Sequence, residues 1–135
     1  MSEHAAVNFA NEAFYLAFST RDLEAMGALW ARHAPVTCIH PGWSALIGRD
    51  AVMESWQAIL TNPNSPAVDC RKSAAHLFGD VGYVICYETL DQGILVATNI
   101  FVREEGTWKM THHQAGATES VPEDDDDWDP ADTVQ

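Results

Sequence analysis

Four stretches of the chain, 67–78, 81–90, 94–105 and 107–117, are separated only by Gly79-Asp80, Asp91-Gln92-Gly93 and Glu105-Gly106. Nothing else in the sequence restricts the fold so tightly. The stretches are rich in Val, Ile, Tyr, Phe and Thr, side chains that suit a pleated backbone. A parallel crossover needs about a dozen residues or more, so connections this short force antiparallel neighbours. Gly and Asp supply the turn conformations. Strands of about 9–12 residues twist strongly and do not stay flat. The second half is therefore expected to be a curved four-stranded meander.

The first half reads as helix. Phe9, Ala10, Ala13, Leu16 and Ala17 recur at three- and four-residue spacing and predict an amphipathic helix over roughly 4–19 with that stripe buried. Thr20 or Asp22 can cap a second helix that buries Leu23, Met26, Leu29 and Trp30, and Pro35 ends it. Val36 to His40 reads as a short strand. A third helix starts near Gly48–Asp50, with Val52, Trp56, Ile59 and Leu60 on its apolar side, and NPNSP at 62–66 is a loop. Helices followed by a meander give an α+β plan, a curved antiparallel sheet wrapped around N-terminal helices. Such a layering leaves a conical cavity between helices and sheet. Apolar residues occupy both parities of 81–87 and 94–102, so the outer sheet face also needs cover, and a homodimer is expected.

Charge excludes several classes of partner. The net charge is −13, and from Glu119 onward there are eight acidic residues and no basic ones. With no Lys/Arg stripe elsewhere, neither nucleic acid nor an anionic membrane is expected as a partner. Residues 1–118 are read as one domain and 119–135 as an acidic, disordered tail carrying Trp128. No apolar run approaches the roughly 20 residues of a membrane span, and the N-terminus has no basic region ahead of apolar residues. Cys38, Cys70 and Cys86 are odd in number and lack metal-ligand spacing; they read as free thiols in a reducing cytoplasm.

CIHPGW at 38–43 is the candidate site's first landmark. Pro41 restricts His40 to an extended backbone, Gly42 permits a sharp turn, and Trp43 can reach back over an opening. His40 can be a proton acceptor, or it can simply lock the turn. Glu88, in the apolar run ICYETL, is either a cavity carboxylate with a raised pKa or a rim residue facing water. His112 and His113 point to opposite faces of a strand, so one metal ion cannot easily take both. Because His112 shares parity with Trp108 and Met110, it is expected inside, and His113 outside or at the dimer contact. No metal and no cofactor is expected.

The helical DLEAMGALW (22–30), IHPGWSALIGRDAVMESWQAIL (39–60), GDVGYVICYETL (79–90) and ATNIFVREEGTWKMTHHQA (97–115) resemble the SnoaL-like branch of the nuclear transport factor 2-like superfamily. The resemblance implies a cone-shaped α+β fold that hosts isomerases, cyclases, dehydratases and non-catalytic assembly modules. Ketosteroid isomerases of that superfamily carry an aspartate-proline general base where His40-Pro41 stands here. Their oxyanion-holding tyrosine falls on Phe14, with Tyr15 one step, about 100°, further round the helix. Their second oxyanion donor falls near Asn99. The implied site holds His40, Asn99, Glu88 and His112 as catalytic groups, with Trp43, Trp56, Phe101, Phe14, Tyr15 and His113 as ligand contacts. His40 would be the base, and Asn99, with His112, would stabilise an enolate. The expected ligand is a small apolar carbonyl compound; the alternative is a ligand-binding or oligomerisation module without chemistry.

Overall fold

The computed structural model describes residues 1–122, so most of the acidic segment, with Trp128, lies outside the described residues. Three helices come first: α1 (Glu3–Ser19), α2 (Leu23–Leu29) and, after two short strands, α3 (Arg49–Thr61). Ser2 caps α1 by accepting the Ala5 N–H at 3.1 Å, and Asp22 caps α2 by accepting that of Ala25 at 3.0 Å. The two short strands are β1 (Thr37–Ile39) and β2 (Leu46–Ile47). Then come β3 (Asp69–Phe78), β4 (Val81–Leu90), β5 (Gly93–Glu104) and β6 (Thr107–Thr118).

The four long strands form the antiparallel meander their turns require. The sheet, however, has six strands in the order β2-β1-β6-β5-β4-β3, and β1 runs parallel to β6. That parallel edge and β2 were not legible in the sequence, because neither short strand has enough residues to show a period. The loop before β1 is clamped by Glu104, whose carboxylate accepts the N–H groups of Arg32, His33 and Ala34 at 2.7–2.9 Å. Arg49 ties α3 to the end of α2 by donating to the carbonyls of Gly27 and Trp30.

The helices cover one sheet face. Gly82 on β4 lets α1 come close: a Cβ there would lie 2.7 Å from a Val7 methyl. The buried face of α1 is Val7, Ala10, Asn11, Phe14, Tyr15 and Ala17. The expected stripe is thus rotated, and Phe9 and Leu16 are exposed (62% and 63%). The helix turns its larger rings, Phe14 and Tyr15, into the cone, and its Phe9–Leu16 side faces outward.

Two bulges break the meander. In β3 the register shifts between Arg71 and Ala74, with Lys72 at φ +58°. In β6 Ile100 pairs with His112 but Phe101 with Met110, so Thr111 has no partner. The Thr111 hydroxyl donates to the Pro35 carbonyl. The bulge lies where the chain alongside β6 changes, from Trp30 bridging Met110 to Thr37 opposite His112.

Candidate functional site

His40 ends β1 in the turn the sequence implies. Its carbonyl accepts the Trp43 N–H at 2.9 Å, and Gly42 takes φ +80°. The turn places the half-exposed Trp43 ring edge-on to the His40 ring, centroids 4.9 Å apart, while buried Trp56 packs on His40 at the same distance. His40 itself is 4% exposed. Its Nε2 lies 2.9 Å from Ser55 Oγ on α3.

A pocket of about 300 Å³ opens beside this turn, lined by His40, Pro41, Trp43, Glu88 and His113 among apolar side chains including Phe18, Val68 and Leu95. Glu88 is at its floor and only 3% exposed, so it is no rim residue. Tyr15 donates to Glu88 Oε2 at 2.6 Å, and His113 Nε2 lies 3.9 Å from the same oxygen. The His40 and His113 rings are 6.4 Å apart, centre to centre.

Behind the pocket runs a polar chain. His113 Nδ1 is 2.5 Å from Asn99 Oδ1, and Asn99 Nδ2 donates to Asn11 Oδ1 at 2.8 Å and to Tyr15 Oη at 3.2 Å. Asn11 Nδ2 in turn faces Ser73 Oγ at 3.5 Å. Burial this deep is tolerated because the polar atoms partner one another.

Burial dominates the ionisation. His40 is lowered to about 4 by desolvation. His113 is lowered to about 3, first by desolvation and then by repulsion from His40 and His112. Desolvation raises Glu88, and the Tyr15 hydrogen bond opposes that rise. Tyr15 is pushed well above its ordinary value, by burial first and then by Glu88. All four shifts favour the neutral form; with His113 held at about 3 its ring is a neutral base, and its approach to Glu88 is not an ion pair at pH 7.

Several expectations need correction. His113, not His112, points inside. The Thr111 bulge inverts the alternation of β6, so Trp108 and Met110 are buried before it and His113 and Ala115 after it. His112 faces the other way and meets Thr37 Oγ1 at 2.6 Å through Nδ1. Tyr15, not Phe14, reaches the site's carboxyl group; Phe14 packs edge-on to Trp56 at 5.4 Å. Phe101 belongs to the core opposite Gly82 and Met110, away from the pocket. Asn99 and Trp56 stand behind the lining, not in it. Among the described residues, no group of three or more His, Cys, Asp or Glu has a metal-holding arrangement.

Two participants went unread, Asn11 and Ser55. Each is a small polar residue inside an otherwise apolar helix face: Asn11 lies between Val7 and Phe14, and Ser55 three residues after Val52 and next to Trp56. That intrusion was the available signal.

The SnoaL-like domain family matches residues 7–118, nearly the whole described chain. The chain belongs to the SnoaL-like family. A crystal structure from Streptomyces avermitilis, provisionally assigned as a dehydratase of the NTF2-like family, is 30% identical with TM-score 0.79, covering 87% of this chain and 97% of that one. One from Thiobacillus denitrificans, provisionally assigned as a calcium/calmodulin-dependent protein kinase type II association domain, is 32% identical with TM-score 0.72, covering 82% and 93%. The Arabidopsis thaliana F-box protein SKIP8 is 28% identical over 112 residues, 82% of this chain; the SnoaL-like chain thus spans about half the length of that curated relative, 48%. The SnoaL-like match and these two structures agree on the cone and its curved, unclosed sheet.

Proposed function

We propose that this SnoaL-like protein is a cofactor-free acid–base enzyme that removes a proton from carbon in a small, mostly apolar carbonyl compound, as isomerases, cyclases and dehydratases do. One observation carries the reading: three titratable side chains, His40, His113 and Glu88, converge on one pocket whose other walls are largely apolar. With His40 lowered to about 4, its ring is neutral and a lone pair is ready at pH 7. Glu88, whose protonated form burial favours and whose Oε2 is braced by Tyr15, would when protonated donate to the carbonyl oxygen as enolate charge develops. That role passes to Glu88 from Asn99, whose amide is already engaged by Asn11, Tyr15 and His113. The resemblance to the provisionally assigned dehydratase supports the same class.

The test is deuterium incorporation from solvent into 2-indanone and cyclohexenone, followed by NMR. Exchange above buffer is expected, with His40→Ala losing roughly 10²–10⁴-fold and Glu88→Gln a comparable amount. Exchange that is absent, or indifferent to His40→Ala, sinks the reading.

A second reading, a module that only binds or assembles, is favoured by the likeness to the provisionally assigned association domain. It too uses the outer sheet face, where Tyr83, Ile85 and Tyr87 alternate with the inward Val84, Cys86 and Glu88 and are only partly buried in the single chain. We propose that a second copy covers this face. Sedimentation equilibrium should give twice the 14.9 kDa mass, and Tyr83→Glu should halve it. No described helix is long and apolar enough to cross a membrane. Three free thiols, Cys38, Cys70 and Cys86, fit a reducing cytoplasm.

A further inference from the structure

We infer that Ser55 and Asn11 are positioning residues that hold His40 and His113 in opposite tautomers, leaving His40 Nδ1 and His113 Nε2 as the bare, proton-accepting nitrogens. The inference deepens the acid–base reading and rests on it for its functional meaning.

At Ser55 the logic is a count of protons. A serine hydroxyl has one hydrogen to donate. Ser55 Oγ lies 2.7 Å from the Val52 carbonyl, which can only accept, so the hydrogen goes there. Ser55 Oγ must then accept from His40 Nε2, 2.9 Å away. The Nδ1 of His40 has Cys38 Sγ at 3.9 Å as its nearest recorded polar neighbour; the same sulfur lies 3.6 Å from Nε2, where as a weak acceptor it yields the proton to Ser55 Oγ. That thiol is pushed up to about 12 by burial, so it does not compete as a thiolate.

At His113 the same count runs through two amides. Tyr15 gives its one hydroxyl hydrogen to Glu88, so toward Asn99 Nδ2 it can only accept. Asn11 Oδ1 accepts the other amide hydrogen of Asn99. The carbonyl end of Asn99 is thereby turned to His113, whose Nδ1 must donate. Asn11 is held the right way round by its own Nδ2, which faces Ser73 Oγ and, at 3.9 Å, Cys70 Sγ. Neither Ser55 nor Asn11 lines the pocket; each acts through another side chain.

The consequence is a division of labour. Both imidazoles offer only acceptors, so the ligand must bring the proton, as a hydroxyl or an acidic C–H. Glu88 is left as the group that gives one back.

The test is long-range 1H–15N correlation spectroscopy of histidine-labelled protein at pH 7, which reads the tautomer of each ring. His40 is expected as Nε2–H and His113 as Nδ1–H. Ser55→Ala should convert His40 to a mixture of tautomers, and Ser55→Thr, which keeps the hydroxyl, should restore the single form. Asn11→Leu should do the same to His113, whereas Asn11→Asp, still an acceptor for Asn99, should preserve it. If Asn11→Leu does not fold, the wild-type spectrum and the Ser55 pair decide. Wild-type rings that are charged or in the reverse tautomers overturn the inference, as do variants whose tautomers match wild type. Carbon-exchange activity indifferent to His40 would sink the proposed reaction and leave the tautomers as measured.

Discussion

The two halves of β6 share a strand and do opposite work. Before Thr111, Trp108 and Met110 face inward and meet other apolar groups in the core. After it, His113 faces inward and meets an acid, an amide and a second imidazole ring. One half is held by exclusion of water; the other is held by partnered polar atoms that would be costly alone. One inserted residue separates a packed core from a candidate site. Were the strand to alternate regularly through Thr111, His112 would point in and His113 out.

Inserting one alanine between His112 and His113 should have the largest effect. Every residue after it would move one place against β5, so His113 and Ala115 would turn outward, and the expected result is loss of a cooperative thermal transition. A melt close to wild type would mean that the register after the bulge does not decide what the second half of β6 buries. Next comes Met110→Ala, which empties a fully buried site and should cost about 2–5 kcal/mol in denaturant unfolding. His113→Leu should cost less, about 1–3 kcal/mol, because it fills the space but leaves Asn99 Oδ1 without its donor. Equal losses at the two positions would contradict the contrast.

The pH dependence sharpens it. His113 is held at about 3 and His40 at about 4, below the ordinary 6.5, so the folded state binds fewer protons than the unfolded chain between those limits. Stability is present above pH 6.5 and falls as acid is added through that window, by at most about 1.4 kcal/mol per pH unit for His113. In His113→Leu the slope between pH 6.5 and 4.5 should flatten, and an unchanged slope would show that His113 is not the group resisting protonation. The smallest effect is expected for His112→Ala, about 0.5–1.5 kcal/mol for one partly buried hydrogen bond to Thr37.

The legible parts of the site were those with local causes. His40 is fixed by the proline after it and Gly42 makes its turn; Glu88 stood out as a carboxylate in an apolar run. Asn11, Ser55 and the hydrogen bond of Tyr15 to Glu88 became legible only when the helices were laid on the sheet. The spacing of Phe9, Ala13 and Leu16 is as good a helical stripe as the one that is buried, and periodicity cannot choose between two stripes on one helix. Contact with the sheet chooses, and it does so where Gly82 admits Val7.

By itself, then, the sequence determined the meander, the helices that cover one face of it and the turn that holds His40, because each follows from turn length, period or a restricted backbone angle within a few residues. Only the tertiary structure decided which side of α1 is buried, that β1 would lie parallel to β6, and which of two adjacent histidines would enter the pocket. A bulge arises where neighbouring strands must be matched in register, and a helix face is selected by what it packs against. Both depend on residues distant in the chain, and no local pattern contains them.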